Sequence, residues 1–344
     1  RRIILPGFVR CSDLPAAEPV DWLVPGWLAK GKVHLLVGEP GLGKSTWTLD
    51  LVARLTRGEP LLPDAPAPPP QPAVIVQPED GLRDTIVPRL VAAGADLEQV
   101  LAFQTENEAF ELPRHASLLR EQVGQDHAGL VIIDPLTAIM ATALSINNQQ
   151  DVRQILQPLV NLGQATGAAI IVCHHLNKSA TASPTHRIAG STAVVAVSRI
   201  ALLMGQHPDD ADQRVISQLK TNLAKLPRDG FAFCLDDVGG GAARIRHLGA
   251  CEIDASDLVA PSAAASAARP GELEKATMFA LTHLDAAGGE MPTNALDALA
   301  QQSGISKGTL IRALKGPAFG KRKHGKTGPW LTTLAAPKSA DEMG

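Results

Sequence analysis

Aromatic residues are scarce in this sequence, which has no tyrosine, seven phenylalanines and four tryptophans among 344 residues. A nucleic-acid surface that stacks successive bases needs several aromatic side chains in one region. We therefore do not expect a surface built on aromatic platforms. The formal charge is only −3, from 32 Lys and Arg against 35 Asp and Glu. The total charge gives no indication of a nucleic-acid partner.

Cysteines are also few, and their spacing carries no metal-binding pattern. Two of the four, Cys173 and Cys234, lie in apolar runs, so we expect them to be buried as small hydrophobic residues in a reducing compartment. No apolar run approaches the roughly 20 residues of a membrane span, and the first residues lack a secretory pattern. We expect a cytoplasmic protein without a membrane partner.

Short apolar runs alternate with stretches of helical periodicity along the first 200 residues. This alternation predicts an α/β fold with a mostly parallel sheet and helices on both faces. Beyond Arg199 the runs are joined by turn residues, which predicts an antiparallel extension. An Ala/Ser/Pro-rich stretch then predicts a linker, and three helical segments followed by a ribbon predict a small second domain. The predicted divisions are a leader (1–30), a core (31–250), a linker (251–271), a small domain (272–336) and a tail (337–344).

Residues 38–45, GEPGLGKS, match the phosphate-binding P-loop at every fixed position. Glycines let backbone N–H groups approach phosphates, and the helix that follows adds its dipole. Lys44 is expected to reach the β- and γ-phosphates of ATP, and the Ser45 hydroxyl to bind Mg²⁺. A chance glycine-rich turn is the alternative, but an apolar strand precedes this segment and a helical pattern follows it. The predicted nucleotide-binding residues of the loop are Gly38, Glu39, Pro40, Gly41, Leu42, Gly43, Lys44, Ser45 and Thr46.

Two further carboxylates follow predicted strands. Asp134 ends the apolar run 130–133 and is the expected second Mg²⁺ ligand. Pro135 occupies the next position, where several P-loop families carry a catalytic glutamate. Glu79, after the strand that follows the P-loop helix, is therefore our candidate for the base that activates water. The alternative is that Glu79 and Asp80 stabilise a helix N-terminus, with Asp80 as its N-cap.

The order of these motifs resembles that of RepA-like hexameric replicative helicases, a plasmid- and phage-borne branch of the RecA superfamily. The resemblance covers about Trp22 to Leu235. It is carried by WLVPG at 22–26, the P-loop, PED at 78–80, IID at 132–134, and His174-His175 with Lys178.

This resemblance implies a RecA-like P-loop NTPase core in a homo-oligomeric, hexameric ring that uses ATP and Mg²⁺. It also implies that Glu79 is the catalytic base and that His174 and His175 sense the γ-phosphate. Neighbouring residues of a strand point to opposite faces, so we expect His175 to face the nucleotide and His174 to pack inside. A metal site formed by the histidines with Cys173 is the alternative.

By position, Arg199 resembles the arginine that a neighbouring subunit contributes in this family. Lys220 resembles a second basic element near the same interface, and we expect it to bind nucleotide. Stabilisation of the negative charge on the transferred phosphoryl group contributes most to such catalysis. The alternative places the side chain of Arg199 in solvent at the start of a strand, and a similar alternative holds for Lys220. Lys178 and Arg187 lie in a small, polar segment that corresponds to a DNA-contacting pore loop, although a simple flexible loop has the same composition.

The last part of the chain resembles a winged-helix module. From Lys307 to Lys338 it carries eight Lys and Arg and no Asp or Glu, which suits contact with DNA phosphates. The alternative is a module for protein contact or ring packing. The candidate DNA-binding residues here are Lys307, Arg312, Lys321, Arg322, Lys323 and Lys326.

These features favour an ATP-hydrolysing ring motor that moves along single-stranded DNA. Duplex DNA and a primase or replication initiator are further possible partners. The main alternative is an ATP-switched DNA-binding or loading factor that does not translocate. A solitary P-loop kinase is a third candidate, against which the absence of an arginine-rich lid segment and the position of Arg199 both argue.

Overall fold

The structure of the protein is a computed structural model that describes most of the chain. The chain divides into two compact units, Arg1–Ala260 and Pro261–Gly344. No helix in the described ranges is long and apolar enough to cross a membrane. The described residues are 7–16, 18–104, 108–141, 144–146, 148–175, 192–227, 229–258, 272–303, 305, 310–311, 313–314, 318–323 and 330–334.

Strands and helices alternate along the first unit. Its strands are β1 (Trp22–Val24), β2 (Leu28–Ala29), β3 (Val33–Gly38), β4 (Ala73–Val76), β5 (Val100–Ala102), β6 (Leu130–Ile133), β7 (Ala169–His175), β8 (Ile200–Gln206), β9 (Gln213–Thr221), β10 (Gly230–Asp237) and β11 (Ala243–Cys251). Its helices are α1 (Lys44–Arg57), α2 (Val87–Ala93), α3 (Ala116–Gln125), α4 (Gln149–Thr166) and α5 (Thr192–Val197), with a π-helical turn at Leu82–Ile86.

Nine of these strands form one sheet in the order β11-β10-β9-β8-β3-β7-β6-β4-β5. Neighbouring strands are parallel from β8 to β5, while β9, β10 and β11 continue the sheet in antiparallel fashion. The central strands β3, β4 and β6 are buried along their whole length. Strands covered on both faces carry continuous apolar runs, which is why their sequence predicted them. The predicted α/β fold with a mostly parallel sheet is confirmed.

Helices cover both faces of this sheet. Helices α1 and α2 pack against one face, and α3 and α4 pack against the other. The hairpin of β1 and β2, which lies in the segment predicted as a leader, packs on the same face as α1. Residues 252–258, from the predicted linker, also contact the sheet, where the Ser217 hydroxyl donates to the Ile253 carbonyl at 2.7 Å.

A buried histidine ties the hairpin to the sheet. The Nε2 atom of His34, in β3, accepts a hydrogen bond from the Ala29 N–H at 2.9 Å. Its Nδ1 atom lies 3.1 Å from the Ile170 carbonyl and donates to it. Burial lowers the pKa of His34 to about 4. The ring is therefore neutral near pH 7, with its proton on Nδ1.

The second unit combines helices with a small antiparallel sheet. The predicted third helix, 306–314, lies mainly outside the described residues, and the short strand before the second helix was not predicted. The sheet has the strand order β12-β14-β13. The elements are α6 (Glu272–Ala286), β12 (Glu290–Pro292), α7 (Thr293–Gln302), β13 (Phe319–Lys323) and β14 (Trp330–Leu334).

Candidate functional site

The P-loop connects the end of β3 to the start of α1. Gly43 has φ 93°, in the left-handed region, and α1 begins at the next residue. A Cβ atom on Gly38 would lie 2.7 Å from the Met204 carbonyl oxygen of β8. A Cβ atom on Gly41 would meet nothing within 4 Å, so this part of the loop is open. The glycines thus serve close strand packing at one end and an accessible backbone in the middle.

Lys44 turns its side chain back onto this loop. Its Nζ atom donates to the carbonyl oxygens of Gly38 and Glu39, each at 2.9 Å. Burial lowers the pKa of Lys44, whereas Cys173, Asp134 and Glu39 act in the opposite direction. The ammonium group is held at the mouth of the loop, where a phosphate oxygen could replace either carbonyl.

Asp134 follows β6 and faces the first residues of α1. Burial raises the pKa of Asp134, while a hydrogen bond from the Ser45 hydroxyl and the charge of Lys44 lower it. The second carboxylate oxygen, Oδ2, is buried and has no hydrogen-bond partner among the described residues. A hydroxyl and a buried carboxylate oxygen are ligands that Mg²⁺ accepts. The residues present therefore fit the predicted metal.

Cys173, on β7, contacts the same carboxylate. Burial raises the pKa of the Cys173 thiol well above its usual value, and the hydrogen-bonded Asp134 carboxylate adds to the rise. The sequence predicted only a buried small side chain here. Nothing in the local pattern indicates the contact, because it depends on the pairing of β6 with β7.

The two histidines at the end of β7 lie on opposite faces of the sheet. His174 shares its face with Ile170 and Val172 and is 4% exposed. His175 shares its face with Cys173, on the side of α1, and is partly exposed. Their positions follow the alternation expected along a strand.

The surroundings of His175 link it to the P-loop. Burial and the charge of Lys44 lower the pKa of His175, while Asp134 and Glu79 act to raise it. Its imidazole therefore lies among one ammonium group and two carboxylates. The strand ends bring together Lys44, Asp134, His175 and Glu79 from four separate parts of the sequence.

Glu79 is exposed, whereas Asp80 is held in place. The Asp80 carboxylate accepts a hydrogen bond from Gln77 Nε2 at 2.7 Å and one from Arg89 Nη1 at 3.1 Å. The alternative in which Asp80 is a helix N-cap is wrong, because Gly81 occupies the position before the helical turn and Asp80 is held by side chains instead. Gln77 and Arg89 were missed by the sequence analysis, since neither belongs to a recognisable motif.

Arg199 and Lys220 lie away from the P-loop of their own chain. Arg199 is exposed just before β8, at the opposite end of the sheet from Met204, which pairs with Gly38. Arg199 lies five residues before Met204, which corresponds to about 16 Å along the strand. Lys220 Nζ donates to the Val195 and Ser198 carbonyls, at 2.7 and 3.0 Å. It thus binds carbonyls at the C-terminal end of α5.

The candidate DNA-binding residues are only partly described. In β13, Lys321, Arg322 and Lys323 are exposed, and Arg322 forms hydrogen bonds of 2.5 to 2.8 Å with Glu290 of β12. The other candidates lie outside the described residues, namely Lys178, Arg187, Lys307, Arg312 and Lys326.

The part of the chain that matches a protein family includes most of the site. The AAA_25 family model, an AAA domain, matches residues 10–181, which is half of the 344-residue chain. The chain belongs to the AAA_25 family. The matched range contains the P-loop, Glu79, Asp134 and both histidines, so the predicted P-loop nucleoside-triphosphatase domain is confirmed. Arg199 and the second unit lie beyond the range of this AAA_25 match.

A solved structure similar to this AAA_25 protein is that of a KaiC-like protein from the hyperthermophilic archaeon Pyrococcus horikoshii OT3. The two chains share 16% identity over 65% of this chain and 93% of the other, with a TM-score of 0.46. No curated protein matches this chain.

Proposed function

We propose that this AAA_25 protein is the subunit of an ATP-driven ring motor that moves along single-stranded DNA and resembles RepA-like replicative helicases. The observation that carries the proposal is the meeting of Lys44, Asp134, His175 and Glu79 at the P-loop end of the sheet. These groups supply the charge, the metal ligand, the sensor and the base that ATP hydrolysis requires.

The residues of the site have separate roles in this reaction. Lys44 exchanges its bonds to the loop carbonyls for bonds to phosphate oxygens of ATP. The Ser45 hydroxyl and the Asp134 carboxylate would hold Mg²⁺, which would supply positive charge beside the phosphates. Glu79 accepts a proton from the water whose oxygen attacks the γ-phosphorus, while the bond to the β–γ bridging oxygen breaks. The products are ADP and inorganic phosphate.

His175 couples this site to the segment that follows β7. Its ring lies near both Lys44 and Glu79, so loss of the γ-phosphate changes the charges around it. The next residues along the chain include Lys178 and Arg187, which we propose contact the DNA backbone. A change at the phosphates thus reaches the DNA through a short stretch of sequence.

A ring of identical subunits, six in the RepA-like helicases that the sequence resembles, accounts for the position of Arg199. This exposed side chain lies about 16 Å along the sheet from its own P-loop, so we assign it to the site of a neighbouring subunit. Its guanidinium group stabilises charge on the transferred phosphoryl group there. Lys220 supports the end of α5 just before Arg199, and we assign it a positioning role at the interface. A primase or replication initiator is the further partner that such a motor would meet.

Glu79→Gln tests the assignment of the base. The variant should bind ATP normally but hydrolyse it about 10²- to 10⁴-fold more slowly, because the amide cannot accept the proton. ATP turnover is measured with and without single-stranded DNA, and unwinding is measured on a forked duplex. Glu98→Gln, at an exposed position before β5, is the matched control.

The outcomes separate the two functions. A motor should hydrolyse ATP faster with single-stranded DNA and unwind the fork. Turnover that ignores DNA, together with ATP-dependent binding to duplex, would favour a loading factor instead. Retained turnover in Glu79→Gln would overturn its role as base.

Mixing subunits tests the role of Arg199. Increasing amounts of Arg199→Ala added to the unaltered protein should lower turnover by more than simple dilution, since each variant subunit impairs a neighbour's site. Arg120→Ala, at an exposed arginine of α3, should dilute turnover in proportion. Equal curves for the two variants would contradict a shared site.

A further inference from the structure

The second unit contains a cavity of about 470 Å³ beside its small sheet. This volume is in the range of small-molecule pockets, roughly 300–1,000 Å³. The lining side chains come from the first two turns of α7 and from strands β13 and β14. They are Thr293, Asn294, Asp297, Lys321 and Trp330.

Trp330 is the distinctive member of this lining. The only tryptophan of the second unit, it is 57% exposed. An exposed tryptophan offers a large, flat apolar surface, which is the feature that binds unpaired bases in single-stranded nucleic acid. The scarcity of aromatic residues argued against a surface of several stacking platforms, but one ring is sufficient for one base.

Positive charge lies on the same face of the ribbon as this ring. Lys323 pairs with Trp330 across the strands, and Lys321 pairs with Thr332, two residues further along. Residues two apart on a strand share a face, so both lysines flank the tryptophan. Among the described residues no ion pair involves either lysine. Arg322 belongs to the other face.

The pocket itself is not suited to a phosphate. Asp297 contributes a carboxylate, which repels an anion and can accept from the N–H groups on the edge of a base. The Asn294 Oδ1 atom accepts a hydrogen bond from the Ala295 N–H at 3.0 Å, so the Asn294 Nδ2 group is the part that would donate to a carbonyl or ring nitrogen of the base. The phosphates of a strand would therefore remain beside the lysines of β13, with the base turned inward. The pocket thus offers a separate group for each part of a nucleotide. The Trp330 ring suits the face of the base, Asn294 and Asp297 suit its edge, and the lysines suit the phosphates.

We propose that this pocket binds one unpaired base of single-stranded DNA. The base stacks on Trp330 with its edge toward Asn294 and Asp297, and Lys321 and Lys323 contact the flanking phosphates. The inference rests on the DNA partner in the proposed function and adds base contact to it. It does not depend on ATP turnover.

A short single strand containing 2-aminopurine tests this site in the full chain without ATP. Stacking on Trp330 should quench the fluorescence of 2-aminopurine. Trp330→Ala should abolish the quench and raise the Kd of the strand by about five- to a hundredfold, while Trp330→Phe should keep most of both effects. Met278→Ala, which removes another 57% exposed side chain of the same unit, is the matched control and should change neither.

Three results would overturn the site. They are an undiminished quench in Trp330→Ala, an equal quench with the base paired in a duplex, and binding of free GMP as tight as that of the strand. The last would show that the lysines do not contact flanking phosphates.

Tests at the P-loop keep this inference separate from the proposed motor. Lys44→Ala and Glu79→Gln should keep the quench, and Trp330→Ala should keep the ATP turnover measured without DNA. Either proposal can therefore fail while the other stands.

Discussion

The two units of the chain place their charged groups in opposite environments. In the first unit, Lys44 and Asp134 are buried at the strand ends, and their pKa values are shifted by that burial. In the second unit, the described lysines of β13 are exposed. Buried charges have a fixed position that the fold maintains, whereas exposed charges act through a field that salt screens. The first arrangement suits chemistry at one phosphate, and the second suits reversible contact with a strand.

The largest effect of burial that we expect is a pH dependence of the free energy of unfolding. It comes from His34, which lies on the strand that precedes the P-loop. Burial holds the folded pKa of His34 at about 4, below the ordinary value of 6.5 for a histidine. The unfolded chain therefore binds more protons between these pH values. The contribution of neutral His34 to the free energy of unfolding should therefore be fully present above pH 6.5. It should be lost as the pH falls through 4, which lowers the free energy of unfolding by up to about 3 kcal/mol.

Denaturant unfolding between pH 4 and 7 measures this fall, and His34→Gln should remove a corresponding part of it. Val33→Ala, at the preceding buried residue, should lower the free energy of unfolding by the same amount at each pH. An identical pH dependence in His34→Gln and the unaltered protein would show that His34 does not link acid to unfolding.

A smaller effect should distinguish two glycines of the P-loop. Gly38→Ala should lower the free energy of unfolding by about 1–3 kcal/mol, because its Cβ would lie against the backbone of β8. Gly41→Ala should cost about 1 kcal/mol, because Gly41 has φ 81° and an added Cβ would meet no neighbour. Thermal unfolding without nucleotide measures both.

The glycine comparison depends on the fixed packing of the first unit. If Gly38→Ala proved no more destabilising than Gly41→Ala, this result would contradict the close packing of Gly38 in β3 against Met204 in β8.

The smallest effect should appear in the salt dependence of DNA binding by the second unit. Lys321→Ala and Lys323→Ala should each reduce the slope of log K against log salt by about 0.7, the value for one phosphate contact on a single strand. Arg322→Ala should leave the slope unchanged, because Glu290 already neutralises this guanidinium group. Binding titrations at several salt concentrations give the slopes, and a reduced slope for Arg322→Ala would contradict that pairing in solution.

Residues that belong to a local pattern were predictable. The P-loop is contiguous, and Asp134 ends an apolar run, so both were found from spacing alone. The opposite faces of His174 and His175 also follow from the geometry of one strand. The contacts of Asp80 with Gln77 and Arg89 were not predictable, because they depend on how a turn and α2 fold back on β4.

Basic residues illustrate the same limit. Lys220 and Arg322 were both predicted to bind a ligand because they are basic. In the structure Lys220 donates to helix carbonyls and Arg322 pairs with Glu290. Their partners lie 25 and 32 residues away in sequence. No local pattern can indicate which of several similar cations finds such a partner.

By itself the sequence determined that this protein has a phosphate-binding loop between a buried strand and a helix, on a mostly parallel sheet. It did so because backbone geometry at glycine and the burial of apolar strands are local properties. Only the tertiary structure decided which charges surround that loop, that Arg199 lies at the opposite end of the sheet, and that Trp330 opens onto a pocket beside two lysines. These arrangements arise from strand pairing and packing between distant segments, which determine the neighbours of each side chain.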